Sequence, residues 1–481
     1  MLADELIVLV KDIQRNKCEK QNLELKKAAE GCPQRLYNTL SSFSNQDGGG
    51  TVIFGIDEKN YLVCGVYDPQ DIQVKVNEQC QQMEPVIRPL FTVANIDGKS
   101  VVSCEVQECD IYQKPCFYKG AGRMKGSYIR SGDADMLMTE YEIYSYEIFK
   151  RKIQDELRII ERADADVINR DLLSIFFAKL RNAKLNLAKL SEKQILKLTG
   201  VMVDSKPTIC GTLLFGLYPQ GYFPSLCITA VVVPGTQMGD TGPLGERFID
   251  NKKFEGTIPE LLEDTLGFIR RNIKTKTIID DFGNRADKDE YPLKAVREII
   301  LNALIHRDYS IHTENSPIRV MMFRDRIEVE NPGGLYGRLT INDLGKVGAD
   351  TRNPYIAGDL EVLINTENRF SGIPTIYNEM EKANHRPPIF ENKRGTFKVI
   401  LYNEVNLSLS EIESEIIEFC NTGKSREQIA KFFSFENPSY MIKKYVIPLV
   451  EKGLLKMTLP DKPKSKNQKF VRKSCSFTMV N

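Results

Sequence analysis

Four residues near the amino terminus have types and a spacing that could act on a phosphodiester. Glu19 and Glu24 lie five residues apart, Lys26 follows them, and Asp57 ends the apolar run TVIFGI. Three carboxylates can hold one or two divalent cations, and a nearby lysine can orient water or steady a phosphate, as metal-dependent phosphodiester cleavage requires. Acidic residues beside a lysine more often form a solvated, salt-bridged face, so the spacing alone leaves both interpretations open.

A second group of polar residues lies within REIILNALIHRDYS at 297–310. Glu298, Asn302 and His306 recur every fourth residue, which places them on one line of a helix beside an apolar face. A buried amide or carboxylate without a partner costs on the order of 1–3 kcal/mol. Either a ligand or an internal hydrogen-bond network must therefore meet this stripe.

The composition bounds the number of domains and the classes of function. The chain has 481 residues, 42% of them hydrophobic, which predicts three or four domains of soluble globular type. Its 66 basic and 65 acidic residues give a formal charge of +1. This balance excludes a uniformly basic nucleic-acid binder but permits local basic patches.

The cysteines and histidines bear on compartment and metal chemistry. Eleven cysteines occur without a CxxC pair and only three histidines are present, which argues against Cys/His zinc sites. The amphipathic start LADELIVLVKDI lacks the features of a secretory signal, and no apolar run approaches the roughly 20 residues that span a bilayer. We therefore expect a cytoplasmic protein with reduced thiols and no membrane contact.

The elements that must position the first group lie within residues 1–150. The patterns predict a helix near 3–15, a strand at 22–26, a helix near 33–45, a glycine turn at 48–50 and a strand at 51–56. On the strand NLELK, Glu24 and Lys26 share one face while the leucines point inward. An α+β module fits this order.

The second group belongs to a segment at 286–404. Before it, residues 151–285 are predicted as a helical connector and an α/β region, in which TICGTLLFGLYP and LCITAVVVPG are buried strands. After the helix at 291–310, PIRVMMF and IEVEN predict a hairpin about a tight RDR turn. Its second strand ends at the NPGG that begins with Asn331.

Residues 405–481 change in character. Helices are expected near 409–421, 425–433 and 438–453, followed by KMTLPDKPKSKNQKFVRK, which holds seven basic residues and one acidic residue between Lys456 and Lys473, a net of +6. Three helices followed by a basic hairpin are typical of a winged helix-turn-helix. The alternative role for the third helix is dimerisation or packing.

The ordered motifs of 286–404 resemble the GHKL, or Bergerat, ATPase fold. They are ExxxNAxxH from Glu298, NPGG from Asn331, TRNP from Thr351 and SGIP from Ser371. The segment is most similar to a divergent branch of that fold in RecG-related bacterial proteins, where a Schlafen-type domain accompanies it. The resemblance implies ATP and Mg²⁺ as ligands.

The resemblance assigns a role to each matching position. Glu298 would be the general base, Asn302 the Mg²⁺ ligand, Asn331 the reader of the adenine amino group, Gly333 and Gly334 the backbone near the ring, Gly372 the glycine beside the phosphates, and Arg352 and Asn353 the residues flanking the lid. His306 receives no such role and is expected to hold a local hydrogen bond near Arg307–Tyr309.

This segment also departs from the family pattern. Asn331 stands where an aspartate is usual, ENRFSGIP replaces a GTGI run, and a long glycine-rich lid is missing from the sequence. The alternative is a degenerate domain in which Glu298 and Asn302 satisfy each other and Arg307–Asp308 cap the helix end.

The amino-terminal motifs resemble the Schlafen AlbA-like domain. They are ExxxxELK from Glu19, SSFSNQDGGGTVIFGIDEKNYLVCGV at 41–66 and KGSYIRSGDAD at 125–135. In some Schlafen members two glutamates and an aspartate form a nuclease centre for structured RNA, which implies Glu19, Glu24 and Asp57 as ligands of Mg²⁺ or Mn²⁺ and Lys26 as an auxiliary. Many bacterial relatives are thought merely to bind DNA.

Basic residues offer further contacts to nucleic acid. Near Tyr128, the candidates for phosphate contacts are Arg123, Lys125 and Arg130, although a basic loop is also common on soluble proteins. At the carboxyl end the candidates are Lys443 and Lys444 on the third helix and Lys464, Lys466 and Lys469 on the wing.

The sequence thus predicts a multidomain α/β protein of α+β modules: a Schlafen AlbA-like domain at 1–150, the α/β region at 151–285, a GHKL-like domain at 286–404 and a winged helix at 405–481. The leading hypothesis is a metal-dependent nuclease of Schlafen type gated by ATP. The alternative is an ATP-responsive DNA-binding transcriptional regulator that cleaves nothing, and a third is a GHKL-like scaffold for oligomerisation. We expect ATP, RNA or DNA, and further copies of the chain in a homo-oligomer as partners.

Overall fold

A computed structural model gives the fold of residues 1–279, 285–348, 350–364, 371–393, 395–403, 411–433, 435, 437–451, 454–459, 465 and 468–472. Residues 1–404 form one compact unit and residues 405–481 another. No helix within these ranges is long and apolar enough to cross a lipid bilayer. The mixture of helices and sheets in several domains is the predicted α/β class.

The amino-terminal segment forms a four-stranded sheet with the order β1-β2-β5-β4. Its helices are α1 (Ala3–Asn16), α2 (Tyr37–Asn45), α3 (Pro69–Gln81), α4 (Gly122–Gly126) and α5 (Glu140–Arg151). Its strands are β1 (Leu23–Lys26), β2 (Gly50–Phe54), β3 (Met83–Glu84), β4 (Leu90–Ile96), β5 (Lys99–Val106), β6 (Phe117–Tyr118), β7 (Tyr128–Ser131) and β8 (Ala134–Leu137). Strand β1 buries Leu23 and Leu25 and leaves Glu24 and Lys26 on the other face, as its alternation predicts.

The next segment contains the second predicted group. Its helices are α6 (Arg170–Ala183), α7 (Glu192–Leu198), α8 (Ile209–Phe215), α9 (Ile258–Asn272), α10 (Leu293–His306), α11 (Pro354–Ile364) and α12 (Gly372–Lys382). Its strands are β9 (Met202–Val203), β10 (Lys206–Pro207), β11 (Ile228–Val232), β12 (Asp250–Phe254), β13 (Thr275–Ile279), β14 (Arg285–Asp289), β15 (Ile318–Met322), β16 (Arg326–Pro332), β17 (Ile389–Lys393) and β18 (Thr396–Tyr402).

One six-stranded sheet, β12-β11-β15-β16-β18-β17, joins residues on both sides of the predicted boundary at 285. Strand β11 pairs in parallel with β15, and β15, β16 and β18 pair antiparallel. The apolar face of α10 packs into a single core with side chains from residues 168 to 401. The two predicted segments, 151–285 and 286–404, therefore share one core.

The segment TICGTLLF is a correction to the sequence prediction, because it forms helix α8 and not a strand. The hydroxyl of Thr208 accepts the backbone N–H of Gly211 and caps the helix. Every residue of α8 is buried. A short run that is apolar on all sides has no period that separates a buried helix from a buried strand.

The carboxyl-terminal unit holds helices α13 (Glu411–Phe419), α14 (Arg426–Phe432), α15 (Pro438–Met441) and α16 (Ile447–Glu451), with one π-helical turn at Ile442–Val446. Strands β19 (Lys424–Ser425), β20 (Leu455–Met457) and β21 (Lys469–Arg472) form a sheet with the order β19-β21-β20. Its core contains Ile416, Ile429, Val446 and Phe470.

Candidate nucleotide site and amino-terminal acidic cluster

A cavity of about 700 Å³ lies between α10, the face of β16 and β18, and the first turns of α11 and α12. The polar side chains that line it are Arg297, Glu298, Asn302, His306, Asn331, Tyr336, Asp350, Thr351, Ser371 and Thr375. Gly333, Gly334 and Gly372 line it as well. The cavity thus brings together residues from four motifs that are up to 74 positions apart in the sequence.

At one end of the cavity, Gly372 approaches the two polar residues of α10. A Cβ atom built on Gly372 would lie 3.1 Å from Nδ2 of Asn302 and 3.2 Å from Oε2 of Glu298. Gly372 is the first residue of α12, and Thr351 and Pro354 bring the start of α11 to the same cavity. Free N–H groups at helix starts attract anions, so this end can accept a phosphate. Burial raises the pKa of Glu298 above its ordinary value.

Asn331 lies on the strand floor of the cavity. It pairs with Phe397 across β16 and β18, and both residues line the cavity together with Val329 and Val399 on the same face. Asn331 is buried, and its Oδ1 atom has no hydrogen-bond partner among the described residues. Gly333 follows with φ +104, and an added Cβ would lie 2.7 Å from a guanidinium nitrogen of Arg352. A side chain at 333 would therefore disturb this floor.

His306 also lines the cavity, a position to which the sequence assigned only a local hydrogen bond. Burial, reinforced by the charge of Arg352, lowers the pKa of His306 to about 4. The imidazole is therefore neutral at physiological pH. The spacing of four residues between Asn302 and His306 was the sequence signal that His306 lies on the same helix face, towards the cavity.

Arg352 and Asn353 lie between two cavity residues, but their own side chains hold neighbouring backbone. Nδ2 of Asn353 donates to the carbonyls of Ile305 and Arg307 at 2.8 and 2.7 Å, which satisfies the end of α10. Arg352 donates to the carbonyl of Gly334 at 3.0 Å and forms an ion pair of 2.9 Å with Asp308. Both residues shape the cavity through these contacts.

Asp308 connects the cavity to α5, the last helix of the amino-terminal segment. The hydroxyl of Tyr141 on α5 donates to the buried Asp308 carboxylate at 2.6 Å. Burial opposes ionisation of Asp308, but Arg352 and this hydrogen bond bring its pKa below the ordinary value. Because Arg352 also holds Gly334, a chain of polar contacts runs from α5 to the cavity wall.

Aromatic contacts form a second connection between the same parts of the chain. Tyr336, which lines the cavity, packs its ring 5.4 Å from that of Phe149 on α5. Arg338 lies 5.3 Å from the ring of Tyr112 and donates to its hydroxyl at 3.3 Å. Tyr112 in turn packs 5.1 Å from Phe149. The loop between β16 and α11, which holds Tyr336 and Arg338 and is called the cavity loop below, therefore touches the amino-terminal segment. No sequence pattern indicated this contact.

The amino-terminal group centres on Glu24. One carboxylate oxygen of Glu24 accepts from Lys26 at 2.7 Å and the other from Arg130 at 2.7 Å. Lys26 also pairs with Glu58 at 3.1 Å. The pKa of Glu19 is raised by burial and by the charges of Glu24 and Glu58, although Lys26 and Arg130 oppose these charges. The sequence prediction missed Glu58, the neighbour of Asp57.

Asp57 has a different local role. Its Oδ1 accepts the backbone N–H of Lys59 at 2.9 Å and so supports the turn after β2. The described residues contain no group of three His, Cys, Asp or Glu side chains arranged to hold a metal ion. Both oxygens of Glu24 are already bound to cations of the protein. The predicted ligand set of Glu19, Glu24 and Asp57 therefore does not fit a divalent cation in this arrangement.

Arg130, a predicted phosphate contact, is engaged within the protein. It is 5% exposed, pairs with both Glu24 and Asp135, and donates to the carbonyl of Leu23 at 3.1 Å. In this arrangement its guanidinium neutralises two half-buried carboxylates.

The other basic candidates differ in their exposure. Arg123 pairs with Glu147, whereas Lys125 is exposed. In the carboxyl-terminal unit, Lys443, Lys444 and Lys469 are exposed, and Lys444 lies 5.4 Å from the ring of Tyr440. Lys464 and Lys466 lie outside the described residues.

Comparison with protein families identifies three segments of the chain. Residues 19–139 match the family model "Schlafen, AlbA_2", and residues 315–401 match "Putative ATP-dependent DNA helicase recG C-terminal", the HATPase_c_4 model. The chain combines a Schlafen AlbA_2 domain with a HATPase_c_4 domain. Residues 414–471 match the C-terminal domain of the Fic-like proteins, "Filamentation induced by cAMP protein".

Several site residues fall within these matches. The HATPase_c_4 match holds Asn331, Gly333, Gly334, Arg352, Asn353 and Gly372, and begins after α10 with its Glu298 and Asn302. The AlbA_2 match holds the whole acidic cluster from Glu19 to Asp135.

Two solved structures are similar to the chain. The DIP2311 protein from Corynebacterium diphtheriae is 18% identical, the alignment covers 91% of each chain, and the TM-score is 0.41. The N-terminal domain of a putative ATP-dependent DNA helicase RecG-related protein from Nitrosomonas europaea is 25% identical over 27% of this chain and 91% of its own, with a TM-score of 0.22. None of the curated proteins compared with the chain matches it.

Proposed function

We propose that the chain binds ATP in the HATPase_c_4 cavity and acts on nucleic acid, with the bound nucleotide controlling how the AlbA_2 domain engages its target. The observation that carries this proposal is the composition of the cavity. Glu298, Asn302 and Gly372 meet at one end, and Asn331, whose Oδ1 has no partner among the described residues, lines the strand floor. The family match to an ATP-dependent helicase segment supports the same ligand.

The residues at the Gly372 end suit a nucleotide with a bound Mg²⁺ ion. Mg²⁺ takes one or two protein ligands and completes its shell with water and phosphate oxygens, so Asn302 suffices as its anchor. The ion would neutralise charge on the phosphates. The starts of α11 and α12 would bind phosphate oxygens through backbone N–H groups. Glu298, whose pKa burial raises, is suited to accept a proton from an attacking water.

The contacts between the two domains support control by the nucleotide. A ligand in the cavity would meet Tyr336 and the Gly333–Gly334 backbone, which connect through Phe149, Arg352 and Asp308 to α5. Helix α5 follows the AlbA_2 domain directly. A shift of the cavity loop would therefore displace Arg338 and change its contact with Tyr112 in that domain.

Binding of DNA or RNA without cleavage is the mode of action that the amino-terminal geometry favours. Glu24 is neutralised on both oxygens, which agrees with the alternative of an ATP-responsive DNA-binding regulator. Metal-dependent cleavage is the second candidate, favoured by the group of Glu19, Glu24 and Glu58 around Lys26. That candidate requires Glu58 in place of Asp57 and a Glu24 released from its ion pairs.

The test measures nucleic-acid affinity and cleavage with one preparation of the full chain. Labelled double-stranded DNA, single-stranded DNA and structured RNA are titrated with and without ATP and Mg²⁺, and each is also incubated with Mn²⁺. The proposal expects affinity for at least one of them to change at least about threefold with ATP. Equal affinity in both states contradicts control by the nucleotide, and cleavage that is lost in Glu58→Gln would favour the nuclease.

A further inference from the structure

We infer that the cavity binds guanine nucleotides as well as adenine nucleotides, because Asn331 reads the base through a neutral amide. The inference rests on the proposed nucleotide binding and concerns the base alone. Its starting observation is a buried side-chain oxygen without a partner among the described residues, Oδ1 of Asn331, on a residue that lines the cavity.

The surroundings of Asn331 suit a purine ring. Val329, Phe390, Phe397 and Val399 line the same part of the cavity and offer an apolar surface to the flat face of a base. Among the described lining residues of β16, β17 and β18, Asn331 is the polar side chain. Keeping an amide buried here without a partner costs on the order of 1–3 kcal/mol, which a hydrogen bond from a ligand would offset.

The neighbouring backbone is already engaged and cannot read the base. Asn331 belongs to the ladder between β16 and β18, the carbonyl of Pro332 accepts from Asp308, and the N–H of Gly333 donates to the carbonyl of Gly395. On this floor, the Asn331 side chain is therefore the group that would form a hydrogen bond with the edge of the base.

The chemistry of an amide differs from that of a carboxylate at this position. Adenine carries an amino donor at carbon 6, whereas guanine carries a carbonyl acceptor there. An ionised aspartate only accepts, so it binds the amino group and repels the carbonyl. An asparagine accepts through Oδ1 or, after rotation about its terminal bond, donates through Nδ2. Asn331 can therefore meet either purine with one hydrogen bond.

The acidic groups in and beside the cavity do not restore the discrimination. Asp308 is buried in its pair with Arg352 and its hydrogen bond from Tyr141. Glu298 lies at the Gly372 end, and Asp350 lies against Gly337 in the cavity loop. His306 on α10 also lines the cavity, and its neutral imidazole likewise carries one donor and one acceptor.

The experiment measures the dissociation constants of ATP, GTP and CTP for the full chain with Mg²⁺ by calorimetry. We expect ATP and GTP to bind within about tenfold of each other and CTP to bind more weakly, because a pyrimidine does not fill the purine floor. In Asn331→Asp, we expect GTP to lose at least about tenfold relative to ATP. Asn251→Asp, the same change at an exposed position of β12 outside the cavity lining, is the matched control and should leave the ATP to GTP ratio unchanged.

The outcomes separate this inference from the proposed function. A wild-type preference for ATP above about 100-fold overturns the inference and leaves nucleotide binding intact. The inference is likewise overturned by an unchanged ratio in Asn331→Asp, or by an equal change of the ratio in the control Asn251→Asp. Binding of none of the nucleotides overturns the proposed function itself. The wild-type ratio decides the matter even when Asn331→Asp does not fold.

Discussion

Tyr141 on α5 donates a hydrogen bond of 2.6 Å to the carboxylate of Asp308, a residue 167 positions later in the chain. Asp308 is fully buried, pairs with Arg352 at 2.9 Å, and accepts the N–H of Ser310 at 2.9 Å. The hydrogen bond thus joins the helix after the AlbA_2 domain to the wall of the nucleotide cavity. Among the described partners of this carboxylate, the phenol of Tyr141 is the one that comes from the amino-terminal segment.

Tyr141→Phe tests this connection. Loss of a hydrogen bond to a buried carboxylate should lower the free energy of unfolding by about 1–3 kcal/mol, while Arg352 and Ser310 keep Asp308 ionised. We also expect a smaller effect of ATP on nucleic-acid affinity, because the route through α5 is weakened. Urea unfolding and the titrations with and without ATP measure the two effects. Tyr144 lies on the same helix as Tyr141 and donates to Asp155. Tyr144→Phe, which removes that hydrogen bond, is the control for a general loss of stability.

Asn302→Ala should weaken ATP binding mainly when Mg²⁺ is present. If Asn302 anchors the ion, the ratio of the dissociation constant in EDTA to that in Mg²⁺ should fall by about tenfold, in line with the loss of a protein ligand. Lys294→Ala, an exposed change on the same helix, should leave that ratio alone. Equal weakening of Asn302→Ala in both buffers would assign this residue to packing and not to the ion.

Gly372→Ala should reduce ATP affinity by at least about tenfold with little change in stability. The new methyl group would lie 3.1 Å from Asn302 and 3.2 Å from Glu298, in the space that the phosphates need. Gly267→Ala on α9 is the matched control, because its Cβ would meet nothing within 4 Å. That control should stabilise the helix by roughly 0.5–1 kcal/mol and bind ATP normally.

The raised pKa of Glu156 should make the free energy of unfolding decrease as pH rises. Burial raises its pKa to about 7, although the carboxylate accepts the N–H groups of Tyr355 and Ile356 at the start of α11. The folded state therefore holds a proton that the unfolded chain, with a pKa near 4.5, releases. The stability from this proton is fully present below about pH 4.5 and is lost as pH rises towards 7, for a total of up to roughly 3 kcal/mol.

Unfolding of Glu156→Gln between pH 5 and 7.5 measures the contribution of this group. The variant should have a flatter dependence of unfolding free energy on pH than the wild type. Asp359, whose pKa burial also raises, adds to the same slope, so some dependence should remain. Parallel curves for variant and wild type would exclude Glu156 as the source.

Arg130→Met should destabilise the AlbA_2 domain and not selectively weaken nucleic-acid binding. It removes the guanidinium from the half-buried carboxylates of Glu24 and Asp135, a loss of roughly 1–3 kcal/mol, while Lys26 still pairs with Glu24. Lys125→Met, at an exposed position, should leave stability within about 0.5 kcal/mol. A stable Arg130→Met with much weaker binding would restore Arg130 as a phosphate contact.

The sequence predicted the elements whose pattern is periodic. The stripe at Glu298, Asn302 and His306 forms α10, PIRVMMF and IEVEN form the β15–β16 hairpin, and the alternation of NLELK gives β1 its two faces. Strong local periods of this kind survive the influence of tertiary contacts. These elements also bring the polar residues of the cavity to one place.

Other features depend on contacts that no local pattern encodes. The run TICGTLLF is apolar on every side, so its helix was not distinguishable from a strand. Which of the adjacent carboxylates, Asp57 or Glu58, reaches Lys26 depends on the turn after β2. The pairs Tyr141–Asp308 and Tyr112–Arg338 join residues 167 and 226 positions apart. Their partners are set by packing alone.

The parallel pairing of β11 with β15 has a practical consequence for dissecting the protein. A fragment that begins at residue 286, the predicted start of the GHKL-like segment, would lack β11 and β12. It would leave the backbone N–H and C=O groups of β15 open along one side, and an open strand of apolar residues invites pairing between molecules. We therefore expect such a fragment to aggregate on expression, whereas a fragment that retains residues 151–404 keeps the sheet closed on that side.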